Sequence, residues 1–250
     1  MSGHSHFKTV AATKNANDAK KGKIFSKMGR VITLAVKSKG PDIGSNIQLK
    51  AAIEKAKEFN MPKENIERAI KKGTGELVGE SLEEVSFEAL GPGGIAVIIE
   101  GITDNKNRTL GEIKGILSQN NGKMAGEGAV RWMFERKGLI ILATDNKPQE
   151  ELENAAIEAG ADDVKLNGGM LEILTKPEDF EAVKKNLEEK QLKIESASLT
   201  WAAKEELTLD EIEKTKAQKL FEALDENDAV QDIYSNLTCL PAGRNLQFEI

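Results

Sequence analysis

At 250 residues, with 39% hydrophobic and 30% charged residues, the chain has the make-up of a folded globular protein rather than a disordered one. Its longest apolar runs are a handful of residues near Ile95 to Ile99 and Leu139 to Ala143, too short to span a membrane. A lone Cys239 excludes an internal disulfide and a cysteine metal cluster.

Residues 1–22 read as a flexible polar arm with Phe7 and Val10 its only bulky apolar residues, turning helical from about Asn17. A helix then runs to about Val36, its inward stripe formed by Ile24, Met28, Val31 and Ala35 and widened by Phe25, Ile32 and Val36. Lys39-Gly40-Pro41 ends it. A second helix is predicted from about Ser45 to Phe59 with Leu49, Ile53 and Ala56 inward. After Asn60-Met61-Pro62 a third buries Ile66, Ala69 and Ile70 and stops at Gly73, read as a left-handed cap.

Past Gly73-Thr74-Gly75 and Gly79 the period changes from helical to alternating. Val85, Phe87 and Ala89, then Gly91-Pro92-Gly93-Gly94, then Ile95 to Glu100 read as a β-hairpin. Asp104 to Arg108 leads into a helix with Leu110, Ile113, Ile116 and Leu117 inward, closed by Asn120-Asn121-Gly122. Ala129 to Phe134 reads as a strand, with Trp132 and Phe134 as alternating core residues. From Leu139 to Leu199 the order is strand, helix, strand, Gly168-Gly169 turn, strand, helix, strand: the βαββαβ order of a ferredoxin-like domain. A short strand near Leu207, a helix from about Asp210 to Leu224 and a strand from Val230 to Asn236 follow.

The predicted class is therefore α+β: a small N-terminal helical domain and two α/β domains, one ferredoxin-like and inserted into the other. The expected divisions are 1–78 for the arm and three helices, 79–136 with 202–237 for a discontinuous middle domain, 137–201 for the insert, and 238–250 for a tail.

Charge is distributed unevenly along this order. Residues 1–75 carry 16 Lys+Arg and 6 Asp+Glu, or 16 − 6 = +10; the other 175 carry 19 and 35, or 19 − 35 = −16, which together give the net −6. A basic head on an acidic body attracts a polyanion locally whatever the total. Lys8, Lys14, Lys20, Lys21, Lys23, Lys27 and Arg30 run through the arm and first helix. Lys20, Lys23, Lys27 and Arg30, spaced by three and four, share a helix face roughly opposite the apolar stripe. Such a row suits a phosphate backbone or is a solvated face, although solvated faces usually alternate in sign. Asn15, Asn17 and Arg30 are also candidates for contacts beyond phosphate. Arg68, Lys71 and Lys72 form a second patch, or Lys71 and Lys72 merely complement a helix C-terminus. Lys106 and Arg108, in the polar stretch before the fourth helix, either belong to a capped loop or extend the binding face.

Catalytic patterns are absent. The only histidines are His4 and His6, and there is no nucleophile elbow, zinc-protease helix pair or phosphate loop. The expectation is a non-enzyme with no metal and no cofactor.

The chain resembles the YebC family of transcriptional regulatory proteins, related to mitochondrial translational activators of cytochrome c oxidase subunit one. The motifs are Met1-Ser2-Gly3-His4-Ser5, Asp18-Ala19-Lys20-Lys21-Gly22-Lys23-Ile24-Phe25, Asn60-Met61-Pro62-Lys63-Glu64-Asn65-Ile66-Glu67-Arg68-Ala69-Ile70, Gly91-Pro92-Gly93-Gly94, Thr103-Asp104-Asn105-Lys106-Asn107-Arg108-Thr109, and Asp228-Ala229-Val230-Gln231-Asp232-Ile233-Tyr234-Ser235-Asn236. His6-Phe7 stands where the family usually has Lys-Trp, and Ala11-Ala12-Thr13 where it has a more basic run, which removes a stacking ring and some charge. The resemblance implies a helical domain with two α/β domains, no catalysis, and one of two roles. One is duplex DNA binding in transcription regulation; the other is action at the ribosome on ribosomal or transfer RNA, easing difficult stretches such as consecutive prolines. The expected partner is thus nucleic acid, with the ribosome as the alternative setting, no membrane, and a monomeric chain. With no secretory or Arg-rich leader before the first motif, the expected location is the cytoplasm.

Overall fold

A computed structural model describes residues 18–77, 81–144, 148–167 and 169–238, without the side chains of 18–20 and 167. The arm as far as position 17 and the tail beyond 238 lie outside the described residues. The described chain forms two compact units, one holding the residues up to 130 with 209–233, the other 131–208 with those from 234.

The first unit begins with three helices, α1 (Asp18–Lys39), α2 (Ile47–Glu58) and α3 (Lys63–Thr74). They bury Ile32, Val36, Leu49, Ile53, Ala56 and Ile66 against one another, with Phe25, Met28 and Ile70 at the margin. The α1–α2 corner depends on Asn46, which is fully buried. Its carbonyl oxygen accepts from the Leu49 amide (3.0 Å) while its amide donates to the Ala35 (2.8 Å) and Gly40 (2.7 Å) carbonyls, so one side chain satisfies orphan groups of two helix ends.

Gly73 is not the cap that the sequence suggested. The helix runs on to Thr74, and the left-handed residue is Gly75 (φ 81°). Gly73 serves packing instead: a Cβ there would lie 2.6 Å from Val36 Cβ and 2.8 Å from the Thr33 carbonyl oxygen, so α3 approaches α1 more closely than any side chain permits.

The same unit carries a sheet of four strands in the order β3-β1-β2-β8: β1 (Glu83–Leu90), β2 (Ala96–Thr103), β3 (Lys123–Met124) and β8 (Val230–Ser235). The expected hairpin is present, with Leu90 opposite Ala96 across a tight turn at Pro92–Gly94. Helices α4 (Lys106–Gln119) and α7 (Glu211–Asp225) belong to this layer, burying Ile113 and Leu117, and Ala217, Leu220, Phe221 and Leu224.

The strand expected over Ala129 to Phe134 does not form. Glu88, buried on β1, accepts from the amides of Gly128 (2.7 Å) and Val130 (2.8 Å) and holds that segment in a turn. A single 3-10 turn at Arg131–Met133 follows, and pairing starts only at Phe134. Because a 3-10 turn has a period near three rather than two, Trp132 does not share the side of Phe134. Phe134 is buried, and Trp132 is 68% exposed instead of lying in the core.

The second unit holds β4 (Phe134–Ala143), α5 (Gln149–Ala159), β5 (Asp163–Asn167), β6 (Met170–Thr175), α6 (Phe180–Glu189) and β7 (Ile194–Ala203). Its sheet order is β5-β6-β4-β7, with all three neighbouring pairs antiparallel, the arrangement of a ferredoxin-like βαββαβ sheet. Ile140, Leu142, Leu171 and Ile173 meet Leu152, Ala156, Val183 and Leu187 of the two helices. The α+β class with one α/β domain inserted in the other is therefore observed: β1, β2 and β3 precede this sheet, and β8 returns to the first after it.

Two glycine substitutions separate packing from propensity. Gly73→Ala is expected to lower stability by about 1–3 kcal/mol through overpacking, despite a helix-propensity gain of about 1 kcal/mol. Gly111 of α4, with nothing within 4 Å of its would-be Cβ, should keep that gain when changed to alanine. Urea denaturation of both variants checks the opposite signs.

Candidate nucleic-acid interface

The cations of α1 meet a chain segment some two hundred residues away. Lys23 Nζ pairs with the Glu226 carboxylate and approaches the Glu226 carbonyl at 3.4 Å. One turn on, Lys27 Nζ donates to the carbonyl (2.6 Å) and carboxylate (2.9 Å) of Asp225. Arg30 donates to the carbonyls of Asp228 (2.7 Å) and, more weakly, Ile102 (3.4 Å). Of the row predicted from spacing, Lys23, Lys27 and Arg30 lie together on α1 and are occupied by the protein's own turn between α7 and β8.

Electrostatics explains the contact. Helix α7 ends on Asp225, with Glu226 as its C-cap residue and no basic side chain in its last turn. Carboxylates at the negative end of a helix are repelled by its dipole, and the last carbonyls need donors. Lys23 and Lys27 supply both positive charge and N–H groups from α1. The pairs are unequal: the Lys27 side chain is 11% exposed, whereas those of Lys23 and Glu226 are 40% and 61% exposed. The hydrogen bond to Glu226 is the main cause that raises the Lys23 pKa above 10.5, with partial desolvation opposing it.

The turn is gripped from α4 as well. Asn227 donates to Glu112 (2.8 Å) and accepts from the Ala229 amide (2.9 Å). Arg108 pairs with Asp104 (2.5 Å) and Glu112 (3.6 Å). Its hydrogen bond holds the Asp104 carboxyl below the ordinary 3.8, and the charge of Arg30 adds to the effect. Asn105 caps α4 by accepting from the Arg108 amide (3.0 Å), as a capped loop requires.

The structure thus gathers Lys23, Lys27, Arg30 and Arg108 around the start of α4 and the end of α7. Lys106 is exposed at the first position of α4, and Lys21 is exposed on the first turn of α1. Arg68, Lys71 and Lys72 are exposed on α3, with Lys71 and Lys72 in its last turn, where they complement the helix C-terminus. Lys20 lies in α1 without a described side chain; Lys8, Lys14 and Asn15 lie outside the described residues. The residues that sequence reasoning missed are Asp225, Glu226, Asn227 and Asp228. A signal for them existed: adjacent acids at the unfavourable end of a predicted helix. In the other unit, Arg131 and Arg136 stack on Trp201 at 5.4 and 5.2 Å from the ring centroid, a second cationic feature that the sequence did not announce.

Comparison with known proteins agrees with the residue motifs. Residues 5–76 match the family model described as the TACO1/YebC protein N-terminal domain, and residues 82–237 match the TACO1/YebC second and third domain. A relative from Geobacter sulfurreducens is 47% identical over 236 residues, covering 94% of this chain and 95% of its own. One from Desulforapulum autotrophicum is 44% identical over 236 residues, covering 94% and 96%. Both carry the name "Probable transcriptional regulatory protein". A crystal structure of a conserved hypothetical protein from Aquifex aeolicus superposes with a TM-score of 0.81 at 42% identity, covering 93% of this chain and 95% of that one.

The unequal burial of the two lysines has a measurable consequence. Lys27→Met should cost about 1.5–3 kcal/mol, the range for a charged hydrogen bond taken from a buried site, and Lys23→Met at most about 1 kcal/mol. Urea denaturation at neutral pH distinguishes them. The pH limits follow from the two shifts. The Asp104 pKa is depressed, so its contribution is present above about 3.8 and is lost as pH falls through the lower folded value. The Lys23 pKa is raised, so its contribution is present below 10.5 and is lost as pH rises through the higher folded value. Asp104→Asn should therefore reduce the acid dependence of stability and leave the alkaline dependence as it was.

Proposed function

The chain belongs to the TACO1/YebC family, and on that premise we propose that it is a non-catalytic transcriptional regulatory protein that binds duplex DNA through its basic N-terminal region. One observation carries the reading: a balance of 16 − 6 = +10 over residues 1–75 in a chain whose net charge is −6. A field of that sign and locality is what a phosphate backbone selects, and it supplies most of the affinity of a nonspecific encounter.

In this reading Lys8, Lys14, Lys20 and Lys21 contact phosphates from the arm and the first turn of α1. Asn15 adds a contact to a base edge in the same reading, since phosphate contacts position the protein and base contacts specify the sequence. Arg68, Lys71 and Lys72 on α3 form a second anchoring patch, and Lys106 and Arg108 extend the face at the start of α4. The names of the relatives support a regulatory role. Catalysis, metal ions and cofactors have no part in it, and the working form is a monomer in the cytoplasm; among the described residues no helix is long and apolar enough to cross a membrane.

A second reading is favoured by one feature of α3. Its exposed surface mixes Glu64 and Glu67 with Arg68 and Lys71, a poor surface for reading base edges. A protein that grips backbone without reading sequence also suits a ribosomal or transfer RNA partner, as a translation factor acting on stalled ribosomes.

Ultraviolet crosslinking in cells, followed by sequencing of the bound DNA and RNA, separates the two. Enrichment of a few promoter duplexes, with crosslinked peptides from residues 8–30, is the expected result. Ribosomal and transfer RNA without promoter enrichment would transfer the assignment to translation. In either case Lys20→Glu with Lys21→Glu should reduce the crosslinks roughly tenfold or more, because each substitution replaces an attraction for phosphate by a repulsion.

A further inference from the structure

The C-terminal part of the α1 row has all the marks of a polyanion site except a free surface. Lys23 to Arg30 covers about seven steps of helix, or about 10 Å, which measured along the axis of a duplex is the rise of roughly three phosphates of one strand at about 3.4 Å each. The groups facing them are oxygens: the carboxylates of Glu226 and Asp225 and the carbonyls of Asp225, Glu226 and Asp228. The acids sit at the end of α7 where its dipole disfavours them, so their placement is favourable only while α1 is opposite. The outer pair, Lys23 with Glu226, is exposed at both partners, so water and salt reach it and little free energy opposes its exchange.

We propose that the turn Asp225 to Asp228 acts as a built-in competitor for phosphate, occupying in cis the part of the α1 row that a nucleic-acid backbone takes over when it binds. The inference rests on the N-terminal binding reading above and adds the regulation of that site. Exchange begins at the exposed Lys23–Glu226 pair. Lys27, whose side chain is nearly buried, and Arg30, bound to main-chain carbonyls, are the inner contacts that keep the turn in register while Lys23 changes partner. Linkage is reciprocal, so a ligand that competes with the turn must loosen it.

The test uses the full-length chain and a fluorescent duplex of random sequence, with anisotropy recorded across a series of salt concentrations. Glu226→Gln keeps the size of an exposed side chain and removes the competing charge. It should tighten binding roughly two- to fivefold, the range expected for releasing one exposed ion pair, and steepen the logarithmic salt dependence by about one. Glu178→Gln, the same charge change at an exposed position in the other unit, should leave the affinity within error. Amide exchange of residues 225–229 in the wild-type chain should also quicken when duplex is added. Wild-type binding that Glu226→Gln leaves unchanged, or that both substitutions tighten equally, overturns the competitor and leaves the N-terminal reading standing. Slower or unaltered exchange of the turn on binding overturns it too. A wild-type chain that binds neither this duplex nor structured RNA removes the N-terminal reading, and the competitor with it.

Discussion

Helix α7 finishes with acids at its negative end, and the arrangement of its unit depends on how that end is neutralised. Left to itself, each such carboxylate would destabilise the helix by about 0.3–1 kcal/mol at an exposed site. Lys23, Lys27 and Arg30 reverse the sign by bringing three cations and their N–H donors from α1. The same contact directs the chain into β8. Immediately after the turn, the Ala229 carbonyl accepts from the Ile102 amide (2.8 Å), and a Cβ on the neighbouring Gly101 would lie 2.5 Å from that oxygen. Arg30 reaches both sides of this junction, Ile102 on β2 and Asp228 before β8. A helix that looks like a separate basic head is thus tied to the place where the last strand rejoins its sheet.

This tie changes how the basic head is understood. Counting charges makes residues 1–75 uniformly attractive to a polyanion, but the candidate cations, Lys106 of α4 among them, fall into three conditions. Lys21, Arg68, Lys71, Lys72 and Lys106 have exposed side chains; Lys23 is half exposed and paired; Lys27 and Arg30 are engaged with the turn. Affinity for nucleic acid then depends on a competition within the molecule as well as on net charge. The weaker a pair is held, the more readily its cation changes partner, which orders the row from Lys23 inward.

Much of the fold could be read from periodicity. The three helices, the hairpin and the βαββαβ order all follow from patterns a few residues long, and the return of β8 matches the expected insertion of one α/β domain into the other. The failures lie where a local pattern served a different end. Gly73 looked like a helix stop, yet its lack of a side chain is used for the approach to Val36, while Gly75 makes the cap. Trp132 and Phe134 alternate like strand residues, yet Glu88 holds the preceding segment in a turn and the alternation has no strand beneath it. For the site, the row of cations was legible because three-and-four spacing is local. Its occupants were not, because no local pattern relates Lys27 to Asp225. The clue that remained was two acids at the wrong end of a helix, which is informative only once the question of what neutralises them is asked.

A double-mutant cycle on Lys27 and Asp225 measures whether α1 neutralises the end of α7. Stability would be measured by urea denaturation for the wild type, Lys27→Met, Asp225→Asn and the double variant. If the pair neutralises the end of α7, the two single losses should exceed the loss in the double variant by a coupling energy of about 1 kcal/mol or more, within the range of contacting charged residues. Additive losses, with coupling below about 0.5 kcal/mol, would mean that Lys27 is buried there without holding Asp225 and that the end of α7 is not neutralised by α1.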